Sequence, residues 1–323
     1  MLQLKLFGSG QATYFERPLV NFPSQQPHHL LCYILLHSRY PVLRDQLAST
    51  FWADNPTSVS RKYLRNALWK LRQIFECVGA DLDAYMLVSD DSVAIRRASP
   101  YWLDVEVFET AVESCQGLPG ASLNPSQAAL LADAVELYTG DLLEGVYCDW
   151  CLYERERLSM LYLAALGKLM AFHGASASWE RGLAYGARIL ARDNTREAIH
   201  LQMMRLYWLA GDRDAALAQY KRCIQVLGDE LGVAPMRETT QVFQQMAHNQ
   251  YDPLPALAAS RPFSLPAAAP RRTQEQSESL LALAEKTLQR VQVLQTMLEE
   301  TRAELGHIEA LIHRELLNKG PAV

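Results

Sequence analysis

The stretch that most constrains this chain runs from residue 58 to 78. On a helical wheel Leu64, Ala67, Leu68, Leu71, Ile74 and Phe75 fall in one stripe, the signature of a helix with one face in a core. Opposite them lie Lys62, Asn66, Trp69 and Gln73, with Arg65 beside and Arg61 and Arg72 at the margins. Between Val59 and Phe75 there are five cations (Arg61, Lys62, Arg65, Lys70, Arg72) and no acid. The 323-residue chain has a net charge of −5, so this helix is a local exception. Residues 1–100 sum to +3, residues 101–250 to −7 and residues 251–323 to −1. A cationic face within an acidic protein is a candidate polyanion contact. Taken alone, a charge run is more often a solvated surface; the flanking elements decide.

Leu2-Gln3-Leu4-Lys5-Leu6 alternates with period two and predicts a strand, and Leu19 to Phe22 a second. Leu30 to Leu36 predicts a buried helix and Leu43 to Phe51 a short one. Asn55-Pro56-Thr57-Ser58 supplies a turn, with Thr57 or Ser58 as the expected N-cap of the basic helix, which ends at Gly79. Met86 to Val88 and Val93 to Ile95 flank Ser89-Asp90-Asp91-Ser92, a hairpin signal. Strands, three helices and a terminal hairpin predict a winged helix-turn-helix.

From Trp102 to Met246 the pattern reads helical, punctuated by Gly174, Gly211 and Gly228. Gly182 to Leu190 aligns with Ala216 to Ile224 at a period of 34, the mark of stacked tetratricopeptide-like hairpins. Five prolines among alanines in residues 251–274 predict a semi-stiff linker. Beyond it Ala284, Val291, Leu298, Leu305 and Ile312 recur every seven residues, predicting a coiled-coil helix over 275–318 that pairs protomers or engages another protein. The expected fold is mainly α. An α+β winged helix (1–100) precedes an all-α solenoid (101–250), the linker (251–274) and the coiled coil (275–318).

No apolar run approaches a membrane span of about 18 residues, and the N-terminus does not read as a signal peptide. A cytoplasmic protein without membrane association is expected. Six cysteines do not make a disulfide scaffold. Cys148-x2-Cys151 is the one chemical-looking motif; with no second pair nearby it reads as structural rather than redox or zinc-binding. The eight histidines are dispersed, and no catalytic triad, paired-carboxylate motif or phosphate loop stands out. No enzymatic activity, metal or cofactor is expected.

A helix fits the major groove, where its N-terminal turns reach base edges. Arg61, Lys62, Arg65 and Asn66 lie in those turns, Ser58 just ahead and Trp69 further along the same face. Lys70, Arg72 and Arg44 suit phosphates, and Arg96 and Arg97 close the hairpin, where a wing meets the minor groove. The rival reading is a protein-binding scaffold with a vestigial winged helix, suggested by the modest +3 and the bulk of Trp69.

These motifs resemble the Streptomyces antibiotic regulatory protein (SARP) type of transcriptional activators. In residues 1–100 the resemblance rests on Leu6-Phe7-Gly8, Leu43-Arg44-Asp45-Gln46-Leu47, Phe51-Trp52 and Leu64-Arg65-Asn66-Ala67-Leu68 followed by Leu71-Arg72. Beyond them it rests on Leu103-Asp104-Val105-x2-Phe108, Tyr138-x-Gly140-Asp141-Leu142-Leu143, Asp149-Trp150 and Glu154-Arg155. It is densest from Asp193 to Pro235. It covers about residues 2–248 and implies an OmpR-like winged helix joined to a bacterial transcriptional activator domain. It also implies promoter DNA binding, head-to-tail pairing on direct repeats and recruitment of RNA polymerase through its sigma or alpha subunits. The chain departs from the family at His28 and His29, where basic residues are usual, and at Trp69, where a small polar one is. The linker and C-terminal helix lie outside the family pattern, and no Gly-x4-Gly-Lys-Ser/Thr follows.

Overall fold

The structure is a computed structural model that describes residues 1–21, 26–96 and 98–252. The expected coiled coil, and the linker from residue 253 onward, lie outside the described residues.

The chain opens with three short antiparallel strands, β1 (Leu2–Lys5), β2 (Gln11–Tyr14) and β3 (Arg17–Asn21). Leu2 and Leu4 point into the core and Gln3 and Lys5 out, as the alternation requires. Helix α1 (Gln26–Leu36) follows and is buried along most of its length. A two-residue strand β4 (Val42–Leu43) leads into α2 (Arg44–Phe51), and the long amphipathic α3 spans Thr57–Cys77. The hairpin is β5 (Met86–Val88) and β6 (Ser92–Ile95), with β6 paired on its other edge to β4. This is the element order expected for a winged helix-turn-helix.

The α3 helix starts differently from expectation. Pro56 is its N-cap, Thr57 is already helical, and no side chain caps the terminus. Proline's fixed φ suits this entry, so Thr57 and Ser58 fall in the first turn instead of before it. Its C-terminus closes as expected: Gly79 takes φ +77, and the Ala80 N–H reaches back to the Phe75 carbonyl at 2.9 Å.

Residues 101–103 form a strand where the sequence reads as helix. β7 (Tyr101–Leu103) pairs parallel to β1 and completes a sheet of order β3-β2-β1-β7. Three residues are too few to show a period. The expected division at 100/101 thus falls just before a strand that returns to the first sheet. One continuous hydrophobic core runs from Leu2 to Leu206.

The helices α4 (Asp104–Ser114), α5 (Pro125–Leu137), α6 (Asp149–Ala175), α7 (Trp179–Arg192), α8 (Glu197–Leu209), α9 (Arg213–Val226) and α10 (Arg237–Ala247) follow. α5 begins with a full capping box between Asn124 and Gln127. α7 and α9 are both 14 residues long and begin 34 residues apart, at Trp179 and Arg213, matching the sequence period. Close approach of α7 to its neighbours requires glycine: a Cβ at Gly186 would lie 2.9 Å from Met203 Cγ, and one at Gly182 3.0 Å from Leu206 Cδ1. A small second core of Leu201, Met204, Ala216, Tyr220, Val242, Met246 and Tyr251 closes the far end. α6 is long and apolar enough to cross a membrane by length and composition, nearer to a span than the sequence suggests, but 72% of that window is buried inside the fold.

The junction between the halves is made by backbone groups and one carboxylate. Asp104, at the start of α4 and almost wholly buried, accepts from the N–H groups of Leu6 (2.9 Å), Phe7 (3.0 Å) and Val105 (2.8 Å). Leu6 and Gly8 also exchange backbone hydrogen bonds with residues 141–144. Arg155 on α6 holds that loop through the carbonyls of Leu142, Leu143 and Val146, at 2.8–2.9 Å. Replacing Asp104 with alanine strands these three buried N–H groups. Urea denaturation of Asp104→Ala is expected to show a loss of about 3 kcal/mol.

Candidate nucleic-acid interface

The helix-turn-helix is fixed from beneath. Leu64, Ala67, Leu68, Leu71 and Phe75 of α3 are buried. The turn between α2 and α3 is tied by Ser60, whose hydroxyl, itself buried, donates to the Trp52 carbonyl at 2.9 Å. Trp52 in turn donates its indole N–H to Gln26 at the start of α1. These contacts leave the opposite face of α3 in solvent.

On that face Ser58, Arg61, Lys62, Arg65, Asn66, Trp69, Lys70 and Arg72 are all exposed, as the helical wheel requires. They are not equivalent. Arg61 makes a two-pronged pair with Asp45 of α2, both contacts 2.7 Å, and these hydrogen bonds hold the Asp45 carboxyl below its usual range. Arg72 pairs with Asp83 at 2.6 Å. Lys62, Arg65 and Lys70 make no ion pair among the described residues. Trp69 stands 59% exposed, and Tyr63, which the sequence reading did not single out, is 42% exposed beside the Trp52 ring. No acid lies in the first turn of α3, so its helix dipole is left uncancelled there.

Arg44 lies at the start of α2, where its guanidinium donates to the Ser89 carbonyl at 3.0 Å and its N–H to the Asp91 carbonyl at 2.8 Å. It therefore braces the hairpin tip against α2. Leu43, Arg44, Asp45, Ser58, Arg61, Leu64, Arg65, Asp90 and Asp91 line a cleft of ≈ 850 Å³ between α2, α3 and the tip. The tip itself carries Asp90 and Asp91 and no cation. Arg96 sits at the other end of the hairpin, at its base, where its Nε donates to the Asp83 carbonyl at 2.7 Å. The second strand of a hairpin runs away from its turn, so a residue that follows β6 stands at the base and not at the tip. Arg97 lies outside the described residues.

Elsewhere aromatic and polar side chains pack between the helices. Tyr138 and Tyr162 stack at 4.2 Å, with the Arg192 guanidinium 4.9 Å over Tyr138 and paired to Asp141 at 2.7 Å. Burial pushes the Tyr138 hydroxyl up to about 12. His200 is buried, within 2.8 Å of both the Asn194 carbonyl and Gln219. Among the described residues no group of three or more His, Cys, Asp or Glu side chains is placed to hold a metal.

Residues 103–246 match the family model of the bacterial transcriptional activator domain. Regulatory protein AfsR of Streptomyces coelicolor is 25% identical over 255 residues, covering 76% of this chain and 25% of the relative. AfsR of Streptomyces griseus is 24% identical over 259 residues, covering 78% and 26%. The chain is similar to these regulatory proteins, and its match to the activator domain covers residues 103–246. It spans about a quarter of the length of those curated relatives. Its fold is also that of Mycobacterium tuberculosis EmbR, solved in complex with a low affinity phosphopeptide. The TM-score is 0.61 at 19% identity, covering 80% of this chain and 68% of that one.

The geometry of the α2–α3 turn carries its own expectation. Ser60→Ala removes the hydroxyl that holds the α2–α3 turn and leaves the Trp52 carbonyl without that donor. A loss of about 1 kcal/mol is expected in chemical denaturation.

Proposed function

We propose that this regulator binds promoter DNA sequence-specifically through α3 and activates transcription by recruiting RNA polymerase. The observation that carries the reading is the exposed outer face of α3. Three of its cations have no ion-pair partner among the described residues, and Asn66 and Trp69 lie between them. In this reading Lys62, Arg65 and Asn66 enter the major groove, where Arg suits guanine and Asn adenine. Ser58 and the first-turn N–H groups of α3 approach a phosphate, and Lys70 touches another. Arg61 and Arg72 exchange a carboxylate for a phosphate, or keep their acids and orient their neighbours. Arg44 acts by bracing the hairpin tip. Arg96 is held at the hairpin base, and an acidic tip does not suit a minor-groove contact, so the helix carries the readout. Arg97 keeps its proposed minor-groove role on sequence grounds alone.

The helical repeats are proposed to present a surface to polymerase, and residues 275–318 to pair protomers. The domain limits 1–100, 101–250, 251–274 and 275–318 are retained as functional units, the first two sharing a core. A cytoplasmic location and the lack of an enzymatic activity belong to the same reading.

Gel shifts against the protein's own promoter region test it. Lys62→Ala and Arg65→Ala are expected to weaken binding, and loss of a phosphate contact to lower the salt slope by about one. Arg96→Ala is expected to leave affinity close to wild type. Undiminished affinity in the Lys62 and Arg65 variants overturns the assignment of α3. A salt-insensitive association with protein and no DNA affinity at low salt would favour the scaffold reading. Light scattering of a chain ending at residue 274 is expected to show a smaller particle than the full chain.

A further inference from the structure

The Cys148-Asp149-Trp150-Cys151 motif is not used by the DNA-facing reading, and its geometry is that of a reactive pair. Cys148 is the N-cap of the 27-residue α6, with extended backbone (φ −87, ψ 148), and is half-buried. Cys151 lies one turn on and is fully buried; its N–H reaches the Cys148 carbonyl at 2.9 Å. The Cys151 thiol faces the Leu142 carbonyl, to which it donates at 3.9 Å. Arg155 Nη2 stands 3.9 Å from Cys151 Sγ. An accessible sulfur at a helix N-terminus, backed by a buried one and a nearby guanidinium, has the setting of a nucleophilic thiol and its resolving partner. Interaction with the neighbouring Cys151 brings the Cys148 thiol down to about 7, while the same interaction and burial push Cys151 up.

The residue between the two sulfurs gives the pair a reach. The Trp150 ring packs edge-on against Tyr33 of α1 (5.4 Å, 85°) and tilted against Phe51 of α2 (6.0 Å, 43°). Its indole N–H is buried without a hydrogen-bond partner, so packing against these rings is its main restraint. A disulfide needs its Cβ atoms about 3.8 Å apart, whereas neighbouring side chains one helical turn apart stand about 5–6 Å apart at Cβ. Closure therefore tightens the turn that carries Trp150.

We propose that Cys148 and Cys151 form a reversible disulfide, closed by peroxide-class oxidants, and that closure shifts Trp150 against α1 and α2. The Cys148 thiolate attacks a peroxide oxygen and the O–O bond breaks. For hydrogen peroxide the leaving hydroxide takes a proton and departs as water, and Cys148 becomes a sulfenic acid. Cys151 sulfur then attacks that sulfur; the S–O bond breaks, and the Cys151 proton leaves with the hydroxide as a second water. Two thiols and one peroxide give one disulfide and two waters. A dithiol reductant reverses the bond by exchange and is itself oxidised to a disulfide. The pair does not depend on what α3 binds.

The test uses the full chain in a Cys77→Ser background, which removes the exposed thiol at the end of α3. Mild hydrogen peroxide, differential alkylation and peptide mapping are expected to show a loss of two hydrogens in mass, located to a Cys148–Cys151 link and restored by dithiothreitol. Cys148→Ser, at the half-exposed position, should abolish the link, and so should Cys151→Ala. Cys32→Ser should keep it. Hydrogen exchange in residues 26–36 and 44–51 should rise severalfold on closure in the parent and not in Cys148→Ser. Two thiols that stay alkylatable, a link to Cys32, or over-oxidation of Cys148 without a link would overturn the pair. A link that forms without changing exchange in those helices would overturn the coupling to α1 and α2.

Discussion

A carboxylate taken out of water stays charged only when enough donors surround it, and Asp104 is where this chain accepts that cost. Burial pushes its carboxyl up, and the N–H groups of Leu6, Phe7 and Val105 pull it back. Those three donors come from the end of β1 and the first turn of α4. One side chain thus fixes where the first sheet stops and the helical half begins. The strand end so placed, Leu6 to Gly8, is the edge on which residues 141–144 lie. Arg155 grips that loop from α6, and Trp150 of the same helix meets α1 and α2. A continuous set of contacts therefore runs from Asp104 to the elements that carry α3.

Much of this was legible in the sequence wherever a period had room to show. The stripe from Leu64 to Phe75 specifies α3 and its dry face, the repeat of 34 specifies α7 against α9, and Ser89 to Ser92 specifies the hairpin. β2 and β7 were missed because three or four residues display no period and their partners are remote: Leu103 finds Leu4 across nearly the whole N-terminal half. The helix start at Pro56 was missed because a good capping residue next to a proline can sit in the first turn instead. For the interface, the exposed face followed from the wheel, but its internal differences did not. Arg61 and Arg72 are engaged by Asp45 and Asp83, acids brought alongside by the turn and by the segment after α3. Arg96 follows β6, which runs away from the turn, so its place at the base was already implicit in the hairpin; its bond to the Asp83 carbonyl was not.

The helical half is held by charge as well as by apolar packing. Arg157 bridges Glu109 and Glu154 at 2.5 and 2.7 Å, all three side chains nearly dry. Lys168, also dry, donates to the carbonyls of Cys115 and Leu118 at 2.5 and 2.6 Å. Such groups are costly to bury and costlier to leave unpaired. They tie α6 to α4 and to the segment that follows it, while Tyr138, Tyr162 and Arg192 tie α5 and α6 to α7. The domain is thereby a rigid mount for whatever surface it presents.

The two helical units have become a keyed pair rather than interchangeable bricks. Gly186 in α7 and Tyr220 in α9 occupy the same place in the period, yet one makes way for Met203 and the other stacks on Phe243 at 4.1 Å. A ring moved to the first position would meet a thioether already there, and a glycine moved to the second would open a hole in the terminal core. At this place in the period the two units are not interchangeable, and a copy of either would have to bring its own neighbour with it.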